Sequence, residues 1–303
     1  MKRFLFFGFL KLLGIFFLYM PHFLRFNLAL CMASLLCFLD KKRKFDLLAN
    51  LDFAYNNSLS QEQKQEILET NYLNLVYNTI SFFMLGVCNK KHILKMAEID
   101  KPEIINNLLH KGESIILVTA HFGNWEYTTP AFTCYFNHPI TAIARMTPYP
   151  LINEYLLKVR SQFNISIFDK NGAAKHLIQA LKKDKVIGIV TDQNTAENEG
   201  ELVNFFGKKV RHTPIASILA RKFDAKIVCS FASYSKDYKK ILIKILPPIE
   251  YQKSENIKAD IYNLTQIQSD ILEQFIRENP KEWLWFHKKF KNQYEEIYRR
   301  SDE

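Results

Sequence analysis

Apolar residues fall along this chain in two regimes. Residues 4–19 (FLFFGFLKLLGIFFLY) are apolar except for Lys11, and residues 26–39 (FNLALCMASLLCFL) are largely apolar again after Pro21, His22 and Arg25 interrupt the run. From Ser60 the spacing changes. Ser60 followed by Gln63 is a capping-box signature, and Ile67, Leu68, Tyr72, Leu75, Val76, Ile80 and Phe83 recur behind it at helical spacing, predicting one long helix. Beyond residue 100, helix and strand patterns alternate. The periodicity predicts helices over 102–110, 124–135, 150–162, 172–183 and 213–223, and a last helix over 256–278. Strands are predicted over 115–120, 140–145, 165–168, 186–191, 227–233 and 240–247. This order indicates an α/β fold with a mainly parallel or mixed sheet flanked by helices. IILVTA and VIGIVT are apolar almost throughout, as central strands covered on both faces should be.

Charge separates the first regime further from the second. The 303 residues hold 41 Lys+Arg against 31 Asp+Glu, a net of +10. Most of the excess lies in residues 1–44, where Lys2, Arg3, Lys11, Arg25, Lys41, Lys42, Arg43 and Lys44 face Asp40 alone, a net of +7. A nucleic-acid binder spreads such charge over a folded face. Here it flanks apolar sequence, which points to an anionic membrane surface. Neither apolar run reaches the ~20 uninterrupted residues of a spanning helix, and cations at both ends place both ends on the cytoplasmic side. An in-plane or re-entrant helical pair fits both facts; the competing readings are a cleaved signal peptide, against which the first run lacks a small-x-small cleavage site, and two buried core helices. The chain thus divides into a membrane-associated helical anchor (1–44) and a catalytic domain (45–303). The five cysteines form no C-x-x-C pair, which excludes a zinc knuckle or disulfide framework and suits a reducing compartment.

The chemistry concentrates in Thr119-Ala120-His121-Phe122-Gly123-Asn124-Trp125-Glu126. This stretch begins where an apolar strand ends, the edge at which open α/β sheets place ligands. His121 is the natural general base. Glu126 is the expected partner for its other ring nitrogen. In one continuous helix, positions i and i+5 lie about 140° apart, so the pair meets only if the chain turns at Gly123 and Asn124.

These residues carry a family resemblance. HFGNWE resembles the H-x4-D/E motif of membrane-associated glycerolipid and lipid A acyltransferases. The rest of the chain resembles the late, lauroyl/myristoyl-type acyltransferases of lipid A biosynthesis, in Arg145, Arg160, Asp192-Gln193, Phe205-Phe206-Gly207, Thr213 and Trp285-Phe286-His287-Lys288-Lys289-Phe290-Lys291. Two departures stand out: Lys288-Lys289 replaces the family's usual Arg-Arg, and Glu197, Glu199 and Glu201 make the segment after Gln193 acidic.

The resemblance implies direct transfer of an acyl chain from an acyl carrier protein thioester to a hydroxyl of a Kdo-bearing lipid A precursor, at the cytoplasmic face of the bacterial inner membrane. It needs no cofactor, no metal and no nucleic acid. His121 and Glu126 are then catalytic. Arg145, Arg160, Asp192 and Gln193 bind substrate, and Gly123 with Asn124 supports the oxyanion through amides at the start of helix 124–135. Basic patches at Lys182/Lys183/Lys185, Lys208/Lys209/Arg211 and Lys288/Lys289/Lys291 are candidate docking sites for the acidic carrier. The alternatives are a glycerophospholipid acyltransferase, for which no downstream E-G-T-R-like motif is present, a membrane lipid-binding protein with a vestigial site, and a metal hydrolase using His121, Glu126 and Asp192.

Overall fold

A computed structural model of the chain describes residues 2–144, 146–169, 172–183 and 185–299. The two apolar runs form helices α1 (Lys2–Tyr19) and α2 (His22–Leu39), broken at Pro21. Helix α3 (Lys41–Ala54) follows, its Asp40 cap accepting the Arg43 N–H. Ser60 and Gln63 close the expected capping box of α4 (Gln61–Leu85). Its second half is largely buried because α1 and α2 pack along it while Gly123, Tyr234, Tyr238 and Trp285 meet its other side. The approach of α1 is close. A Cβ on Gly14 would stand 2.4 Å from the Phe83 carbonyl oxygen, so only glycine fits there. Arg25 of α2 is buried and donates to the Phe17 carbonyl at 2.8 Å.

Beyond α4 run α5 (Lys90–Met96), β1 (Ala97–Asp100), α6 (Pro102–His110), β2 (Ile115–Thr119), α7 (Thr128–Phe136), β3 (Ile140–Ala144), α8 (Pro150–Ser161), β4 (Ile165–Asp169), α9 (Ala173–Lys183) and β5 (Val186–Val190). A hairpin of β6 (Glu201–Phe205) and β7 (Lys208–His212) precedes α10 (Ile215–Phe223), β8 (Lys226–Tyr234), β9 (Ile241–Ile245) and α11 (Ile257–Glu278). Seven strands form one sheet in the order β1-β9-β8-β2-β5-β3-β4, parallel throughout except for β8 against β9. Strand β2 is buried along its full length, and β5 over four of its five residues. The α/β expectation is met, with β2 and β5 at the centre.

Three departures have local causes. The periodicity did not reveal β1, a half-exposed four-residue edge strand. The polar β6–β7 hairpin escaped for the same reason; its turn residues Phe206 and Gly207 both have positive φ. The helix expected from residue 124 begins at Thr128, preceded by a 3₁₀ turn, Trp125–Tyr127. Phe205 and Phe206 are both buried, the first packing on Trp283 and Phe290, the second on Tyr55 and Trp285.

Candidate active site

The site is assembled by the β2–β5 ladder. Thr119 stands opposite Val190 in parallel register, and the Thr191 N–H continues the ladder to the Thr119 carbonyl at 3.1 Å. Two residues past each strand end, His121 and Asp192 therefore meet. His121 Nδ1 lies 2.9 Å from Asp192 Oδ1, and the His121 backbone N–H donates to Asp192 Oδ2, also at 2.9 Å. The Trp283 indole N–H donates to the same oxygen at 2.9 Å. Burial disfavours the Asp192 carboxylate, but the facing imidazole and these hydrogen bonds outweigh it and hold the carboxyl well below its usual range. For His121 the order is the same. Burial lowers its pKa, the Asp192 carboxylate raises it, and the net shift is upward. An ionised Asp192 keeps the proton on Nδ1 and leaves Nε2 as the basic nitrogen. Nε2 lies 3.4 Å from Gln193 Nε2, and the Trp125 ring makes a T-shaped contact with the imidazole at a centroid distance of 5.0 Å.

This corrects the expected pairing. Glu126 does not hold the imidazole. Its carboxylate accepts from Arg160 Nη2 on α8, at 2.9 Å and 3.1 Å. The reason is the backbone between them. After His121 the chain turns at Gly123 (φ +48°) into the 3₁₀ turn, which carries Glu126 toward α8. Glu126 still favours the imidazolium through its charge. Arg145 lies outside the described residues. Gly123 is also not an available oxyanion donor, because its N–H is bound to the Glu282 carbonyl at 2.8 Å. Asn124 is fully buried, with neither side-chain amide atom bonded. Asp192, expected to bind substrate, has its carboxylate occupied by protein donors.

The turn that carries His121 and Glu126 is gripped from two sides that sequence reasoning missed. Residues 282–284 pair antiparallel with it: Leu284 N–H donates to the His121 carbonyl at 2.9 Å, and Phe122 bridges Trp283. From beneath, α4 presents Asn71, Asn74 and Asn78 along one buried face. Asn78 donates to the Gly123 carbonyl at 2.8 Å and accepts from the Tyr234 hydroxyl. Asn74 accepts from the Tyr238 hydroxyl at 2.7 Å and lies 3.5 Å from Glu282 Oε2. Asn71 holds the Trp285 N–H and the Lys281 carbonyl. Burial raises the Glu282 carboxyl to about 7, against opposing hydrogen bonds from Tyr234 and Asn74. The available signal was three asparagines at three- and four-residue spacing inside an apolar helical pattern.

The closing basic motif is mostly internal. Lys289 is fully buried and donates to the Gln193 and Arg211 carbonyls at 3.3 and 3.2 Å, and burial lowers its pKa to about 8. Lys288 pairs with Asp46 at 3.2 Å, and His287 Nε2 accepts the Asn194 N–H at 2.8 Å. Lys288 and Lys289 therefore brace the Asp192–Asn194 segment and α3, and form no open docking patch.

A strand-end His–Asp dyad whose second ring nitrogen faces the Gln193 amide, bordered by an Arg–Glu pair, is equipped for proton abstraction beside an anionic substrate. The model of the bacterial lipid A biosynthesis acyltransferase family matches residues 2–292. The chain belongs to that family. It is similar to the lipid A biosynthesis lauroyltransferase of Escherichia coli strain K12, at 22% identity over 258 residues, covering 85% of this chain and 82% of that protein. The lipid A biosynthesis palmitoleoyltransferase of the same organism is 21% identical over 254 residues, 83% of this chain and 79% of its own length. A lipid A biosynthesis acyltransferase of Haemophilus influenzae is 20% identical over 249 residues, 82% and 77% of the two chains.

Proposed function

We propose that this acyltransferase moves an acyl chain directly from an acyl carrier protein thioester to a hydroxyl of a phosphorylated, Kdo-bearing lipid A precursor, at the cytoplasmic face of the bacterial inner membrane. The observation that carries the mechanism is His121 Nε2, left basic by the Nδ1 contact with Asp192. His121 Nε2 takes the acceptor hydroxyl proton as the oxygen attacks the thioester carbonyl. The tetrahedral intermediate expels the carrier thiolate, which recovers that proton from the imidazolium, leaving an ester and a free thiol. Asp192 orients the ring and stabilises its charged form. Amides at the opening of the 3₁₀ turn after Gly123 are the donors for the oxyanion. Glu126 aligns Arg160, whose guanidinium meets acceptor phosphate or carboxylate.

The membrane assignment is supported by α1 and α2. Each has 18 residues, about 27 Å at 1.5 Å per residue. Their outer faces expose Phe4, Phe9, Leu12, Phe16, Phe23 and Phe38. Among the described residues α2 alone is long and apolar enough to cross a membrane. Both helices nevertheless lie along α4, which favours a domain set into one leaflet with both ends of the anchor cytoplasmic.

The decisive experiment incubates the purified protein with acyl carrier protein or coenzyme A thioesters, and with either the tetra-acylated sugar precursor or lysophosphatidic acid. Mass spectrometry identifies the product. One secondary acyl chain gained by the sugar precursor, from the carrier donor, is the expected result. Acylation of lysophosphatidic acid alone transfers the protein to the glycerophospholipid reading, and a preference for coenzyme A rejects the donor. Loss of about 10²–10⁴-fold in turnover is expected for His121→Ala; near-normal turnover overturns the mechanism.

A further inference from the structure

Five consecutive residues at the start of α8, Pro148-Tyr149-Pro150-Leu151-Ile152, are apolar and exposed, with Tyr149 64% accessible and Ile152 40%. An exposed run of this length is rare on a surface that meets only water. The segment is also built to hold its shape. Asn153 Oδ1 accepts from the Thr147 N–H and hydroxyl, both at 2.8 Å, and Asn153 Nδ2 donates to the Thr147 carbonyl at 2.7 Å. Pro150 fixes the first helical φ.

The patch adjoins the outer face of α1. Arg3 pairs with Glu154, Phe7 stacks on Tyr155 at 6.3 Å, and Lys158 Nζ lies 5.9 Å from the Phe7 ring centroid. Arg3 and Phe4 are neighbours, and Phe4 is 82% exposed, so two apolar surfaces meet across one ion pair. The exposed Lys158 supplies a cation at the junction.

We propose that Pro148–Ile152 is a second lipid-contact site, which inserts into the headgroup–acyl boundary of an anionic phospholipid bilayer beside α1. It rests on the membrane reading above. Tyrosine at the rim, apolar side chains at the tip and a cation alongside are the chemistry of such a boundary. The contact has a consequence for the reaction. Arg160, on the same helix, lies eight residues beyond Ile152, about 12 Å along the axis, and holds Glu126. One rigid helix then fixes how far the Arg160–Glu126 pair stands from the lipid surface, within reach of a headgroup-level acceptor.

The test uses the full-length protein in vesicles of phosphatidylethanolamine and phosphatidylglycerol, with the photoreactive residue p-benzoylphenylalanine at Ile152, at Phe9 of α1, or at exposed Gln274 of α11. After irradiation, mass spectrometry should find phospholipid adducts at Ile152 and Phe9 but not at Gln274. The double variant Leu151→Ser/Ile152→Ser should bind vesicles about tenfold more weakly, with unchanged turnover on detergent-dispersed substrate. Adducts at Phe9 without adducts at Ile152 overturn the second contact and leave the anchor standing. Absence at both positions overturns the membrane reading and this inference with it. Adducts at Ile152 that form only with added acceptor glycolipid mark a substrate groove and also overturn the proposal.

Discussion

His121 and Asp192, 71 residues apart in sequence, share two hydrogen bonds of 2.9 Å, one from the ring and one from the backbone. The double link ties the orientation of the base to the end of the neighbouring strand. Any change to Asp192 therefore acts on both the position and the proton affinity of the imidazole.

Asp192→Asn removes the stronger charge that raises the His121 pKa and leaves burial, the largest influence, which lowers it against the weaker pull of Glu126. The base works in its neutral form, so activity rises with pH through that pKa. In the wild type this limb lies above the ordinary imidazole value of 6.5; in the variant it should move below it. Maximal turnover should drop by about 10²–10⁴-fold, since the amide also permits the wrong tautomer. A pH–rate profile measures both effects, and an unmoved limb would refute the assignment.

Glu282 makes stability depend on pH. Its folded carboxyl titrates at about 7 and its ordinary value is 4.5. A raised folded pKa gives stabilisation that is fully present below 4.5 and is lost as pH rises through about 7. The difference corresponds to roughly 3 kcal/mol. Glu282→Gln mimics the protonated form. It should match the wild type in urea denaturation at pH 4.5 and exceed it at pH 8; equal midpoints at pH 8 would contradict the buried-acid account.

Asn78→Ala strips a donor from the Gly123 carbonyl and an acceptor from the Tyr234 hydroxyl, both in the interior. Each unpaired buried group costs about 1–3 kcal/mol, so a loss of roughly 3 kcal/mol is expected. Because Gly123 lies two residues from His121, kcat should fall while KM for the acyl donor changes little. Steady-state kinetics on the folded fraction separates these, and a pure KM effect would argue against a positioning role.

Gly123→Ala should be among the most damaging single changes. A Cβ there would lie 2.2 Å from the Ala232 carbonyl oxygen and 2.7 Å from Ser233 Cα, at a φ of +48°. Backbone cannot yield as a flexible side chain does, so destabilisation beyond about 3 kcal/mol is expected. A melting curve within a degree or two of the wild type would show that the turn relaxes.

Much of this molecule was legible in its sequence because local physics dictates it. Alternating periods marked the central strands and most of their helices, the Ser60–Gln63 box marked the start of α4, and His121 announced itself by standing just past an apolar strand. The family pattern, too, is carried by residues in linear order. What periodicity could not reveal depends on which strands become neighbours. Paired registers set Thr119 against Val190, and that choice gave the imidazole to Asp192 and released Glu126 to Arg160. The asparagine face of α4, the buried acid at Glu282 and the interior Lys289 were hidden for a related reason. A polar residue in a helix or loop reads as solvent-facing until a second layer of chain covers it, and here that layer comes from the Gly123 turn, Tyr234 and Tyr238, the Gln193 and Arg211 backbone and the C-terminal segment. Hydrogen-bond partners for buried polar groups are supplied across the fold, between residues that no local window contains.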